Sequence, residues 1–404
     1  MLFRKDELKL LGPFYLSIFS FGLSSMVGPF MTIYYIHLGF SFFQISIITS
    51  AFGLSMFIFE IPTGAFADLI SRKYSVILGY LIAAIAISTV PFVSNFYVMV
   101  SLWAVVGFGL TFSSGAEEAW VIGNLNKKDR IDLHNEYFVK GSSFRAFGAI
   151  FSPIIAAILV RNYSVTVLWY IYGLGYLVSA IILLFFTQEL SKPQKTERKE
   201  LIKKTFNTGK KGLIFCFRNR PIFLFSLATL FTYLMASAAA AHQPFFLSLG
   251  MPEYKLGYLF SIIGVINVIT PFISRYIVKY NTKNVISISI LFRVILQFSF
   301  LFIYPPFFLV ASVIFITNKG ILMFENPVTQ TSIHKLIPGP IRATTLSAIS
   351  MTTQIIMIIS TLIAGYFLDL YGPRKVIALM ALFGILAIFT FQKIKELDYR
   401  KQLK

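Results

Sequence analysis

The stretch FEIPTGAFADLISRKYSVILG, residues 59 to 79, joins two apolar runs through a turn that carries one acid, Asp68, and two cations, Arg72 and Lys73. The run before it reaches back to about residue 42, and the run after it continues to about residue 93. About 20 apolar residues in a helix rising 1.5 Å per residue cross the roughly 30 Å of hydrocarbon in a bilayer. The turn is too short to house a folded unit of its own. The two runs therefore read as an antiparallel pair of membrane-crossing helices with a basic turn on one side.

Outward from this pair the pattern recurs along the whole chain. Of 404 residues, 56% are hydrophobic and 13% charged, against about 25% charged in an ordinary soluble domain. One soluble core cannot bury that excess. Glycine, proline, asparagine and charge clusters divide the chain into twelve expected spans, near 11–36, 42–66, 74–93, 96–122, 139–160, 164–187, 221–247, 255–278, 284–304, 306–326, 343–368 and 375–392. The first is too long for a signal-peptide core and lacks a small-residue cleavage pattern, so it is expected to remain as a span. The expected fold is an all-α membrane protein: a six-helix bundle over 1–187, a basic linker over 188–220, and a second, pseudo-symmetric six-helix bundle over 221–404.

The net charge of +19 could suggest a nucleic-acid partner, but the cations lie between apolar runs instead of on a folded polar surface. No nucleic acid is expected. With the N-terminus inside, 29 of the 36 lysines and arginines fall in inner segments, and only Arg161, Lys255, Arg374 and Lys375 fall in outer loops. Lys and Arg are retained on the cytoplasmic side, so both termini are expected to be cytoplasmic, in an inner membrane. Within the linker, GKKGLIFCFRNR either lies along the anionic inner leaflet or serves as a solvated tether. The lone Cys216 excludes an internal disulfide and a thiolate metal cluster. No metal-ligand spacing, nucleophile–base set or phosphate loop points to an enzyme, a metal or a cofactor.

Gly64, Asp68, Arg72 and Lys73, in the second-to-third loop of a six-plus-six chain, resemble the loop signature of the major facilitator superfamily, Gly-x-x-x-Asp-Arg-x-Gly-Arg-Lys. Leu69 and Ser71 depart from it. The resemblance implies that this loop braces the two bundles in the outward-open state, with Asp68 and Arg72 in that role: Gly64 allows close helix approach, and Asp68 can accept from amides at a neighbouring helix N-terminus. A second match, GYFLDLYGPRK over 365–375, falls on the expected outer side and reads as a repeat remnant and turn, with Asp369 structural. Gly148 and Pro153 loosely resemble the antiporter signature of the family, or else simply pack helices closely. The stretches EIPTG, SGAEEAW and IPGPIRATTLSAISM resemble the branch of bacterial drug and antibiotic exporters.

Charges inside hydrocarbon normally face a bundle interior or a watery cavity. If the fourth span is one helix, Glu117 and Glu118 lie about 12 Å inward of its middle and point about 100° apart. Glu117 is then expected to pair with Arg72 and Glu118 with Arg145, the alternative being that one of them carries the coupling proton. Glu60 would complete this cluster, as a proton relay or as a further partner for Arg72. In the other half, Lys319 either meets an anionic substrate, finds an acid across the cavity, or snorkels. Glu325, about 120° away from it, is the expected partner of Arg293. The family plan puts Tyr34, Thr111, Tyr233, His242 and Asn318 along a central cavity.

These residues predict a secondary transporter that moves a small amphipathic or lipophilic compound by alternating access. Export, coupled to protons, is the expected mode. The alternative is a carrier or flippase for an anionic or lipid-linked substrate; a non-transporting sensor or enzyme is the reading from another class. The expected partners are the small-molecule substrate, protons and membrane lipids, around a monomer.

Overall fold

The computed structural model describes residues 3–190, 214, 218–277, 282–337 and 342–394. Most of the expected linker lies outside the described residues, with Cys216 and the greater part of GKKGLIFCFRNR, as do residues 338–341 and 395–404.

Among the described residues there is no strand. The helices are α1 (Glu7–Ser24), α2 (Met31–His37), α3 (Phe42–Leu69), α4 (Arg72–Thr89), α5 (Phe96–Thr111), α6 (Ala116–Lys127), α7 (His134–Asn162), α8 (Thr166–Phe186), α9 (Arg220–Ala236), α10 (His242–Ser248), α11 (Lys255–Ile277), α12 (Thr282–Ser299), α13 (Phe308–Leu336) and α14 (Arg342–Gln392). Their ends follow from local chemistry. The Ser71 hydroxyl accepts from the Tyr74 amide to start α4, Asn95 accepts from Tyr97 and Val98 to start α5, and Asn219 with Pro221 behind it starts α9.

Nine segments among the described residues are long and apolar enough to cross a membrane, where the sequence predicts twelve spans. Each difference has a local cause. The first expected run is divided between α1 and α2 by residues 25–30, which include Gly28 and Pro29. In α11 the apolar part is the shorter Lys255–Thr270. The last two expected spans join into the 51-residue α14, which turns at Gly372 (φ 75°), a conformation that suits glycine, just before Pro373.

The chain divides into two compact units, one of Met1–Tyr34 with Ile48–Thr205, the other of Tyr35–Ile47 with Phe206–Lys404. In the first, α1 packs on α7 and α8, and α4 on α5 and α8. A Cβ on Gly148 would stand 2.5 Å from the carbonyl carbon of Gly22, so α1 and α7 touch backbone to backbone. Ser152, Pro153, Ala156 and Ala157 continue this buried small-residue face. The stretch resembling an antiporter signature thus has a packing role in α7. In the second unit α14 packs on α9 and α12, and α11 on α13.

Candidate functional site

In the first unit, the α3–α4 turn is tied down by its own acid and by one that sequence reading missed. Arg72 Nη2 lies 3.0 Å from Asp68 Oδ1, and Nη1 donates to the Ala119 carbonyl. Glu189, just past α8, accepts from the Arg72 amide at 3.0 Å, the Lys73 amide at 3.3 Å and the Ser71 hydroxyl at 2.5 Å. It thereby caps α4 with a full negative charge. Lys73 returns the contact, its ammonium donating to the Leu184 and Thr187 carbonyls at the end of α8, and Asn124 brackets the same segment through Gln188 and Leu190. No local pattern marks Glu189, because its partners lie more than 115 residues away in sequence.

Gly64 corrects an expectation: a Cβ there would meet nothing within 4 Å, so no close helix approach depends on it in this conformation. Asp68 binds Arg72 rather than a neighbouring helix end. The Glu117–Arg72 and Glu118–Arg145 pairs also do not form. The assumed fourth helix is broken at Gly115 (φ 69°), and both glutamates lie in the first turn of α6, so angles extrapolated from α5 misassign their faces. There two carboxylates suit the positive end of the helix dipole. Glu117 accepts from the Tyr80 hydroxyl at 2.5 Å and feels Arg145 only as a nearby charge. Glu118, Arg145 and Glu60 are exposed and make no ion pair among the described residues.

The second unit holds a cavity of about 540 Å³. Its walls are helical faces: Phe225, Thr229, Thr232, Tyr233 and Ala236 on α9, Ile286, Ile290 and Arg293 on α12, Leu322, Glu325, Asn326, Thr329, Gln330, Ile333 and His334 on α13, and Leu346, Ile349, Ser350 and Thr353 on α14. Each set repeats at three or four residues, so one stripe of each helix faces inward. Arg293 Nη1 meets Glu325 Oε2 at 2.5 Å, with both side chains buried. The contact is single: Arg293 Nε and Glu325 Oε1 have no hydrogen-bond partner among the described residues. Asn318 stands behind the pair, donating to the Arg293 carbonyl at 3.1 Å.

Of the five expected cavity residues, Tyr233 lines this cavity. Tyr34 donates to the Val90 carbonyl and packs on Trp169, Thr111 bonds back to Phe108, and His242 is wedged against Phe315 and Phe300. Lys319 lies mid-way along α13, 5.4 Å from the Phe315 ring centroid. It makes no ion pair among the described residues, and no group of His, Cys, Asp and Glu among them could hold a metal ion.

Apolar helices of membrane length surround a solute-sized cavity whose wall mixes polar and apolar side chains, a layout that fits the class of integral membrane transporters. More particularly, the chain belongs to the Major Facilitator Superfamily, whose family model matches residues 14–361. It is 20% identical over 386 residues to the uncharacterized MFS-type transporter YxaM of Bacillus subtilis (strain 168), covering 93% of this chain and 94% of that protein. Among solved structures it resembles the nucleoside transporter NupG (TM-score 0.76, 17% identity, 97% of this chain and 99% of that one). It also resembles a bacterial homolog of the human lysosomal transporter Spinster (TM-score 0.77, 12% identity, 98% of each chain) and a D-xylose-proton symporter (TM-score 0.68, 13% identity, 96% of each chain). These are transporters and not enzymes. They give no support to the expected drug-exporter branch.

Proposed function

We propose that the protein is a secondary active transporter that carries a small amphipathic solute by alternating access, with the cavity of the second unit as a binding site for it. The reading includes twelve spans in two six-helix bundles, a monomer in the cytoplasmic membrane and both termini inside. The observation that carries it is the buried Arg293–Glu325 pair lining the cavity with one donor and one acceptor unmatched among the described residues. Buried polar atoms left unpaired cost about 1–3 kcal/mol each, and a solute bearing both hydrogen-bonding and apolar groups would offset that cost. Aromatic and aliphatic walls from Phe225, Tyr233 and Ile290 suit its apolar part. Glu325 is also the coupling group of this reading: protonation removes its charge and frees Arg293 for the solute. Arg293, His334 and Tyr233 are the other titratable groups on the cavity wall.

Uptake into proteoliposomes of cationic, neutral and anionic amphipathic solutes, with and without a pH gradient, tests this. Gradient-driven accumulation of at least one, lost in Glu325→Gln, is expected; gradient-independent flux that survives Glu325→Gln rejects coupling through this residue. Export predicts accumulation in inside-out vesicles. A second reading, an anionic solute, is favoured by Lys319, a membrane-embedded cation on the same helix as Glu325 with no acid partner among the described residues. Lys319→Ala should then weaken anionic solutes selectively, and an equal loss for all solutes rejects it.

A further inference from the structure

Gly-x-x-x-Asp occurs twice, as Gly64 and Asp68 near the end of α3 and as Gly365 and Asp369 just before the Gly372 turn within α14. The two copies are in opposite conditions. Asp369 Oδ1 accepts from the Phe42 amide at 2.8 Å and Oδ2 from the Phe43 amide at 3.0 Å, so one carboxylate holds the first two amides of α3. A Cβ on Gly365 would stand 2.5 Å from Ser46 Oγ and 2.8 Å from the Phe42 carbonyl oxygen; the helices meet where no side chain fits. Phe43 and Tyr366 close edge to face over the contact, 6.2 Å between centroids. All these residues belong to the second unit. Asp68, by contrast, binds only Arg72 among the described residues, and Gly64 faces open space.

The α3 helix does not depend on Asp369 for its start. Ser41 and Gln44 form a reciprocal capping box, the Ser41 amide donating to Gln44 Oε1 at 2.9 Å and the Gln44 amide to Ser41 Oγ at 3.2 Å. The amides of Phe42 and Phe43 are what the box leaves free. A carboxylate there gains from the helix dipole and from charge-assisted hydrogen bonds, and it can leave without unfolding the helix. The second copy of the motif thus has the attributes of a reversible clasp, where its sequence alone reads as a remnant.

We propose that Asp369 is a positioning residue of the transport cycle, a latch that holds α3 to α14 on the outer side while the Asp68 copy is disengaged, and that releases when that copy engages. This rests on the alternating-access reading above and on the orientation given by the basic residues. The test needs no substrate. In a Cys216→Ser background, Ser46→Cys reports on the clasp through its rate of reaction with a membrane-impermeant maleimide in right-side-out vesicles. Asp369→Ala is expected to speed labelling about two- to fivefold, the range of an exposed charge at a helix end, whereas Asp369→Glu stays near the parent rate and Asp68→Ala gives no acceleration. An unchanged rate in Asp369→Ala, with unaltered thermal unfolding, overturns the proposal. If that variant does not fold, Asp369→Asn, which keeps an acceptor and loses the charge, decides by the same criterion. Asp129→Cys and Tyr163→Cys monitor orientation separately: labelling of Asp129→Cys from outside refutes the orientation, while the Asp369 effect, measured in permeabilised vesicles, still decides the latch.

Discussion

Arg293 and Glu325 are coupled in energy, because each makes the burial of the other tolerable. Removing one partner of a buried pair leaves an uncompensated charge and costs about 3–5 kcal/mol, whereas replacing both with apolar groups of similar size is often neutral. Arg293→Met should therefore lower the thermal unfolding temperature in detergent, and Arg293→Met with Glu325→Leu should recover most of it. A double variant as unstable as the single one would show that the pair does not account for the loss. At Glu189 the expectation is smaller. Glu189→Ala strips a cap from α4 and should cost about 1 kcal/mol, with protease sensitivity rising first at residues 187–190; undiminished protection there would show that the contact is incidental. Arg293 and Glu325 are conspicuous in sequence because charges are rare in apolar runs. Glu189 is not, since it lies where the chain turns polar and its partners are distant in sequence.

Among elements, the break between α5 and α6 decides what the two adjacent glutamates do. The apolar run over 96–122 reads as one helix, and only the positive φ of Gly115 converts Glu117 and Glu118 from charges near the inner end of one long helix into acids of a first turn. Hydrophobic periodicity does not register the left-handed backbone of a single glycine. The helix contacts through glycine make a sharper distinction. Gly148→Val should force α1 from α7, since its Cβ would lie 2.5 Å from Gly22, and should lower the unfolding temperature by several degrees. Gly64→Ala, which enters open space, should leave it within error. Equal effects at both positions would contradict the packing described for α1 and α7.

For the whole molecule, the membrane character and helical class were legible in composition and run length alone, since no soluble core accommodates so much apolar surface. The loop motif then placed the chain in its superfamily, with which the family match agrees. The details of the site were not legible in the same way. Which face of a helix looks inward depends on neighbours, and Tyr34, Thr111 and His242, placed along a cavity by the family plan, make local contacts within their own units. The finer branch also escaped, because short stretches such as EIPTG belong to helix and turn geometry and name no cargo. The central claim is that solute binds in the cavity around Arg293 and Glu325. The most direct measurement is the concentration dependence of transport in proteoliposomes for wild type, Asn326→Ala and Tyr233→Phe, using whichever solute of the panel accumulates. A KM raised about tenfold in Asn326→Ala, the scale of one lost hydrogen bond, with reconstitution unchanged, is the predicted result; identical curves for all three proteins would place the solute elsewhere and contradict the account.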